Sequence, residues 1–283
     1  MTVNEWLATA KNNLDAAGIP TARLDSLILL EDTTAIDRVQ LLANPNLVLK
    51  PNIVKKLNLL LNQRSKYEPL AYIRGKSEFY GRSFKINKNV LQPRPESEAM
   101  IDLLKTLCNK LFPYNNAKIG RNNANNNLWL ADVGSGSGIL GITAKLEVPD
   151  LSVDLLEIDI KALKLAKFNV DIYTPNIGLI LSDLLHSTSR EYDILLANLP
   201  YVPDDYTINK SAEYEPEIAL FGGQDGLDVY RKLFKQIERL NKRPLYILTE
   251  SMPFQHLKLT NIARKYKYKL ASNVDYIQEF RAI

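Results

Sequence analysis

The sequence holds one cysteine and two histidines in 283 residues. A single Cys108 excludes an intramolecular disulfide and any cysteine-rich metal site, which points to a reducing compartment. It lies in an apolar helical pattern, where a thiol serves as a small buried hydrophobe. His186 and His256 are too far apart to suggest a metal site, and no metal is expected. No apolar run approaches the roughly 20 residues of a membrane span, and MTVNEWLATAKNNL lacks the basic start and apolar core of a signal peptide. A cytoplasmic protein with no membrane partner is the expectation. A strong charge excess is missing too. The formal charge of +4 and pI near 8.9 permit a nucleic-acid partner without arguing for one. What remains is an ordinary globular composition, 46% hydrophobic and 24% charged, enough for one large domain or two smaller ones.

Residues 1–75 read as helices. Thr2 and Glu5 form a capping box ahead of Trp6, Leu7, Ala10 and Leu14, and Gly18 with Pro20 stops that helix. ARLDSLILLEDT and NIVKKLNLLLNQRS continue the pattern, so a small helical bundle is predicted. Over 76–92 the period falls to two, with Phe84, Ile86 and Val90 around Gly81 and Asn87, which predicts a hairpin joining the bundle to a domain over 93–283. A helix at about 96–112 precedes an Asn-rich stretch, YNNAKIGRNNANNNL, that reads as a solvated loop. Beyond Leu128, apolar runs such as LWLADV, SVDLLEI, IGLILS and DILLAN alternate with helical stretches. That alternation signals βαβ units and a parallel sheet of about seven strands, an α/β architecture of Rossmann-like kind.

LADVGSGSGILG places Gly134, Gly136 and Gly138, with Ser135 and Ser137 between them, after a strand and ahead of a helix. Glycine permits the tight turn and close approach of a ligand to backbone N–H groups at a helix N-terminus. No Gly-Lys-Ser/Thr follows, and Ile139 breaks the dinucleotide spacing. Glu157 ends the next strand, where a carboxylate accepts from both hydroxyls of a ribose; Asp159 is the alternative. Asp183, after the third strand, suits an adenine amino group, with the backbone at Leu184 completing the adenine edge. Each acid singly is more often a cap or a solvated charge; three in succession at one sheet edge favour an adenosine-containing ligand. The fourth run, DILLANLPYVPDDY, ends at the same edge on Asn198, Leu199, Pro200 and Tyr201, a tetrapeptide that alone reads more readily as a proline-containing turn.

With these residues the sequence resembles the HemK-type (PrmC) peptide chain release factor glutamine methyltransferases, of the class I S-adenosylmethionine-dependent methyltransferases. The likeness runs through EPLAYIRGKSEF, VLQPRPESE, DVGSGSG, NLPY, YEPEIALFGGQDGLDVYRKL and ESMPFQ. It departs from the family at Leu199, where NPPY is usual, and at Met252, where the EIGxxQ pattern survives only as Glu250 and Gln255. The resemblance implies S-adenosyl-L-methionine as cofactor, S-adenosyl-L-homocysteine as product, and transfer of the methyl to a glutamine side-chain amide in release factors. It implies catalytic roles for Asn198 and Tyr201, a glutamine pocket formed by residues 198–201 and shaped by Arg94 and Glu96, unless those two pair with each other as structure, and a cofactor site of Gly134–Gly138, Glu157, Asp183, Leu184 and Asn198. The helical domain would recognise the substrate protein, with no nucleic acid required and a monomer expected. Competing readings are a ribosomal-protein glutamine methyltransferase, a DNA adenine methyltransferase, against which the modest charge counts, and an adaptor that binds cofactor without turnover.

Overall fold

The computed structural model describes residues 1–111, 128–173 and 176–283. Apart from Leu128, the Asn-rich stretch lies outside the described residues. Two compact units result, one formed by Met1–Lys76 with Ile208–Tyr214 and the other by Ser77–Thr207 with Glu215–Ile283.

The smaller unit packs α1 (Val3–Ala16), α2 (Ala22–Thr34), α3 (Arg38–Ala43), α4 (Pro51–Ser65) and α5 (Leu70–Arg74) around Trp6, Leu14, Leu30, Leu41 and Leu57. The capping box forms as the sequence predicts, with Thr2 Oγ1 accepting from the Glu5 N–H and Glu5 Oε2 from the Thr2 N–H. Arg64 and Asp25 pair at 2.7 Å inside the bundle. Segment Ile208–Tyr214, far along the chain, joins this unit: Tyr214 donates to the Lys66 carbonyl and the Lys210 ammonium sits over the Tyr67 ring. Sequence periodicity carries no trace of that return, because so short a segment has no period of its own.

In the larger unit the hairpin β1 (Lys76–Phe79) and β2 (Arg82–Lys85) buries Phe79 and Phe84. From Ser77 onward it belongs to this unit. Asn169 explains the attachment: its carboxamide bonds both the N–H and the carbonyl of Lys85, and donates to the Ser137 carbonyl as well. A short 3₁₀ turn at Pro95–Ser97 leads into α6 (Glu98–Leu111), which buries Cys108; burial pushes its thiol up to about 11.

Then come β3 (Trp129–Val133), α7 (Ile139–Glu147), β4 (Ser152–Glu157), α8 (Ile160–Tyr173), β5 (Gly178–Leu181), β6 (Ile194–Ala197), α9 (Glu217–Leu220), α10 (Asp228–Ile237), β7 (Tyr246–Glu250), α11 (His256–Lys265), β8 (Tyr268–Val274) and β9 (Ile277–Ala282). The strands form one seven-stranded sheet in the order β5-β4-β3-β6-β7-β9-β8. Five are parallel, and β9 runs antiparallel between β7 and β8. The chain builds outward from β3 through β4 to β5, then crosses back to place β6 on the other side of β3. That reversal opens a crevice at the carboxyl ends of β3 and β6, where open α/β sheets bind ligands.

Candidate active site

Because β3 to β7 are parallel, Gly134, Glu157, Asp183, Asn198 and Glu250 all fall at or just beyond one sheet edge. They surround a cavity of about 310 Å³ whose walls also include Val90, Pro93 and Ser97, except that Glu250 stands behind Asn198.

The glycine loop turns through positive φ at Gly134, Gly136 and Gly138, which non-glycine residues rarely adopt. A Cβ on Gly134 would stand 2.9 Å from Leu199 Cδ2, whereas one on Gly136 would meet nothing within 4 Å. The first glycine therefore lets the loop close on the residue after Asn198, and the second turns bare backbone to the cavity. Glu157 is buried, its Oε2 accepting from the Gly136 N–H at 2.7 Å and its Oε1 from the Asp159 N–H at 2.9 Å. A carboxylate oxygen has two lone pairs, so each keeps one for a further donor. Asp159 instead caps the start of α8 through the Lys161 N–H.

Asp183 lines the cavity and pairs with Lys232. The Gln236 amide brackets the same turn, accepting from the Leu185 N–H and donating to the Asp183 carbonyl. It holds Leu184 at φ 55°, a strained value for a branched residue. Asp132, which sequence reasoning passed over, is buried in the cavity wall and accepts from the Gly141 N–H at 2.8 Å. Burial, opposed by that hydrogen bond and reinforced by the Glu157 charge, pushes its carboxyl up to about 7. Its signal in the sequence was its place, two residues before the first glycine of the loop.

Asn198 is held by a buried network. Its carboxamide nitrogen donates to Glu250 Oε2 at 3.1 Å and to Ser97 Oγ at 3.2 Å, while Ser97 donates to the same carboxylate oxygen at 2.6 Å. Tyr201 donates its hydroxyl to Glu250 Oε1 at 2.9 Å. Burial raises the proton affinity of Glu250, against which the hydrogen bonds from Ser97, Tyr201 and Asn198 act. The Asn198 oxygen is buried and has no hydrogen-bond partner among the described residues. Such an orphan acceptor is costly unless a ligand donates to it.

The loop FGGQDGLDVY braces this tetrapeptide from behind. Tyr230, fully buried, has its hydroxyl 2.8 Å from the Ala197 carbonyl and 2.5 Å from the Glu250 carbonyl, tying the ends of β6 and β7 together. Gln255 donates to the Tyr201 and Asp225 carbonyls. A Cβ on Gly226 would stand 2.1 Å from the Tyr201 oxygen, so only glycine fits there. Arg94 does not pair with Glu96: one guanidinium nitrogen reaches both oxygens of buried Glu215, at 2.8 and 2.9 Å, and Glu96 is exposed. The pocket wall beside them is made by Pro93 and Ser97.

The PrmC N-terminal domain matches residues 5–75 and the Methyltransferase small domain residues 121–213. The release factor glutamine methyltransferase of Neisseria gonorrhoeae is 32% identical, covering 82% of this chain and 78% of that protein. That of Koribacter versatilis is 30% identical, covering 84% and 81%. The chain belongs to the release factor glutamine methyltransferase family. It also covers 98% of its own length at 30% identity with a bifunctional methyltransferase of Rickettsia typhi, but spans only 55% of that protein. Among solved structures, the hMettl16 catalytic domain in complex with MAT2A 3'UTR hairpin 1 aligns with a TM-score of 0.53 at 14% identity, covering 84% of this chain and 82% of that one, a likeness of fold. Set in the release factor glutamine methyltransferase family, the Leu199 departure has a visible accommodation: its side chain is buried against Gly134 in the core.

Proposed function

We propose that this chain transfers a methyl group from S-adenosyl-L-methionine to the side-chain amide nitrogen of a glutamine in peptide chain release factors, in the cytoplasm, as part of translation termination. The observation that carries this reading is the Asn198 oxygen, buried and without a partner among the described residues, in the wall of a cavity also lined by the glycine loop and Glu157.

The residues present fit the cofactor. Bare backbone at Gly136 and the buried Ser135 hydroxyl, without a partner among the described residues, offer polar contacts, Glu157 keeps a lone pair on each oxygen for the ribose, and Asp183 beside Leu184 suits an adenine edge. When bound, S-adenosylmethionine supplies the methyl from a positively charged sulfur and leaves as S-adenosylhomocysteine. Glu157 and Asp132 set carboxyl groups in the cavity wall, where a positively charged sulfur is favoured, while Asp183 is already paired with Lys232.

An amide nitrogen is a weak nucleophile because its lone pair is delocalised into the carbonyl. Asn198 Oδ1 accepts one N–H of the glutamine amide and the backbone carbonyl of Leu199 accepts the other, which holds the nitrogen towards the methyl; as the N–C bond forms at the expense of the S–C bond, one of these two protons is released to solvent. Glu250 and Ser97 keep the Asn198 oxygen facing the substrate, because a reversed carboxamide would set oxygen against the Glu250 carboxylate. Tyr201, its hydroxyl anchored on Glu250, offers its ring to the amide or the cation. Pro200 fixes the backbone between them, and Arg94 and Glu96 shape the rim. This is catalysis by orientation and electrostatic matching. The helical unit presents the substrate protein.

The test is incubation of the purified protein with methyl-labelled S-adenosylmethionine and release factors, with the modified residue located by mass spectrometry. Label on a single glutamine amide is the expected result; label elsewhere, or none, contradicts the reading.

A further inference from the structure

The net charge of +4 conceals an uneven distribution. Segments 239–243, 264–269 and 281–283 read RLNKR, RKYKYK and RAI: three, four and one, or eight, lysines and arginines without one aspartate or glutamate. The rest of the chain therefore carries 4 − 8 = −4.

The fold gathers these segments at one place, the end of the sheet opposite the cavity. Lys269 pairs in register with Arg281, and Arg281 with Tyr246, the first residue of β7, so the three form a row across adjacent strands. Arg281 also lies over the Tyr246 ring. On the other face, Phe234 of α10 packs on Phe280 and Tyr268. Arg239, Lys242 and Arg243 follow that helix, and Arg264 and Lys265 end α11. The Ile283 N–H bonds the Lys267 carbonyl, and Arg243 donates to the carbonyl of Tyr266. Among these cations Lys242 pairs with Asp193. Arg239, Arg264, Lys265, Lys267 and Lys269 are exposed and have no ion pair among the described residues. The macrodipole of α11 accounts for Arg264 and Lys265, but no helix end accounts for Lys269 and Arg281.

We propose that this end of the sheet binds the phosphate backbone of a structured RNA. Charge held on rigid strands and at two helix ends gives a salt-sensitive, sequence-independent grip on phosphates, and four of the eight cations are arginines, whose planar fork suits a phosphate. A lipid surface would need apolar area beside the charge. The exposed Leu245 and Leu270 instead lie, by strand alternation, on the face opposite the Tyr246–Arg281–Lys269 row, and exposed Ile283 beside Arg281 is a single side chain, too little apolar area for insertion. Cations on both faces of the sheet end match a folded polyanion better than a plane. The RNA would sit away from the cavity and leave it open.

Fluorescence anisotropy of the full chain with a labelled RNA hairpin, titrated from about 50 to about 200 mM salt, tests this. Binding should weaken steeply with salt. The variant carrying Arg264→Gln, Lys265→Gln, Lys269→Gln and Arg281→Gln should bind at least ~10-fold more weakly, with a salt slope shallower by roughly 3, as expected for four lost phosphate contacts. Lys265→Gln with Lys269→Gln, two exposed positions, gives a milder form of the same change should the fourfold variant fold poorly. Lys55→Gln with Lys56→Gln, exposed on α4, should change neither quantity. Unaltered affinity and slope in the patch variants, no RNA bound at the lowest salt, or binding to phosphatidylglycerol vesicles with none to RNA would each overturn the proposal.

Discussion

The Glu250 carboxylate lies 3.1 Å from the Asn198 carboxamide nitrogen and thereby decides which way that amide faces. Glutamine at position 250 keeps the volume but can turn either its oxygen or its NH₂ towards Asn198, so the orientation is no longer forced. Glu250→Gln should slow methyl transfer in a single turnover by about 10- to 100-fold, somewhat less than loss of a preorganised donor. Calorimetric affinity for S-adenosylmethionine should be unchanged. A parental rate would mean that Asn198 is oriented by Ser97 alone.

Glu157→Ala should act in the opposite sense. A lost hydrogen bond to a charged acceptor is worth roughly 1.5 to 3 kcal/mol, and here the same carboxylate also ties the Gly136 and Asp159 N–H groups. Cofactor affinity should fall about 10- to 100-fold, with transfer recovered at saturating cofactor. Calorimetry checks it; unchanged affinity would transfer the ribose role to Asp159.

The carboxyl of Asp132 is raised from 3.8 to about 7, mainly by burial. Between those values the folded chain keeps a proton that the unfolded chain has released, so this group's contribution to stability declines as pH rises through that window. Asp132→Asn keeps the acceptor for the Gly141 N–H and removes the ionisation. Urea titrations at several pH values should show the variant gaining stability relative to the parent from pH 4 towards pH 7. A difference independent of pH would contradict the shift.

Leu199→Pro separates what the sequence shows from what only packing shows. From the sequence alone, restoring the usual family residue should leave transfer neutral or faster, because proline fixes the backbone. The structure adds that the Leu199 side chain fills buried space against Gly134 and that its N–H lies 3.4 Å from the Tyr230 hydroxyl. Proline removes both, so thermal unfolding should report a loss of about 1 to 3 kcal/mol while transfer at saturating cofactor holds. Unchanged stability would show that the loop closes on proline equally well.

Much of the scaffold was legible because its signals are local. DILLAN gives β6 at Ile194–Ala197, the Thr2–Glu5 box starts α1, and glycine after a strand marks the loop. The acids at the strand ends could be placed for the same reason: each follows its own apolar run. Glu250 follows YILT in the same way, yet nothing in the sequence reveals that Ser97, Tyr201 and Asn198 converge on it, since that meeting depends on β6 and β7 lying side by side. The partner of Arg94 was equally hidden: Glu215 stands 121 residues away. The basic sheet end escaped notice because a whole-chain sum cancels it against acids elsewhere.

Single-turnover methylation of a release factor by Asn198→Ala at saturating S-adenosylmethionine tests the central claim most directly. Removing the carboxamide deletes the orphan acceptor and leaves β6 and the glycine loop in place, so cofactor affinity and thermal stability should stay near parental. Transfer should fall about 100- to 1,000-fold, the usual loss for a preorganised group at the reacting centre. Transfer at the parental rate would contradict the mechanism and return residues 198–201 to a proline-containing turn at the end of a buried strand.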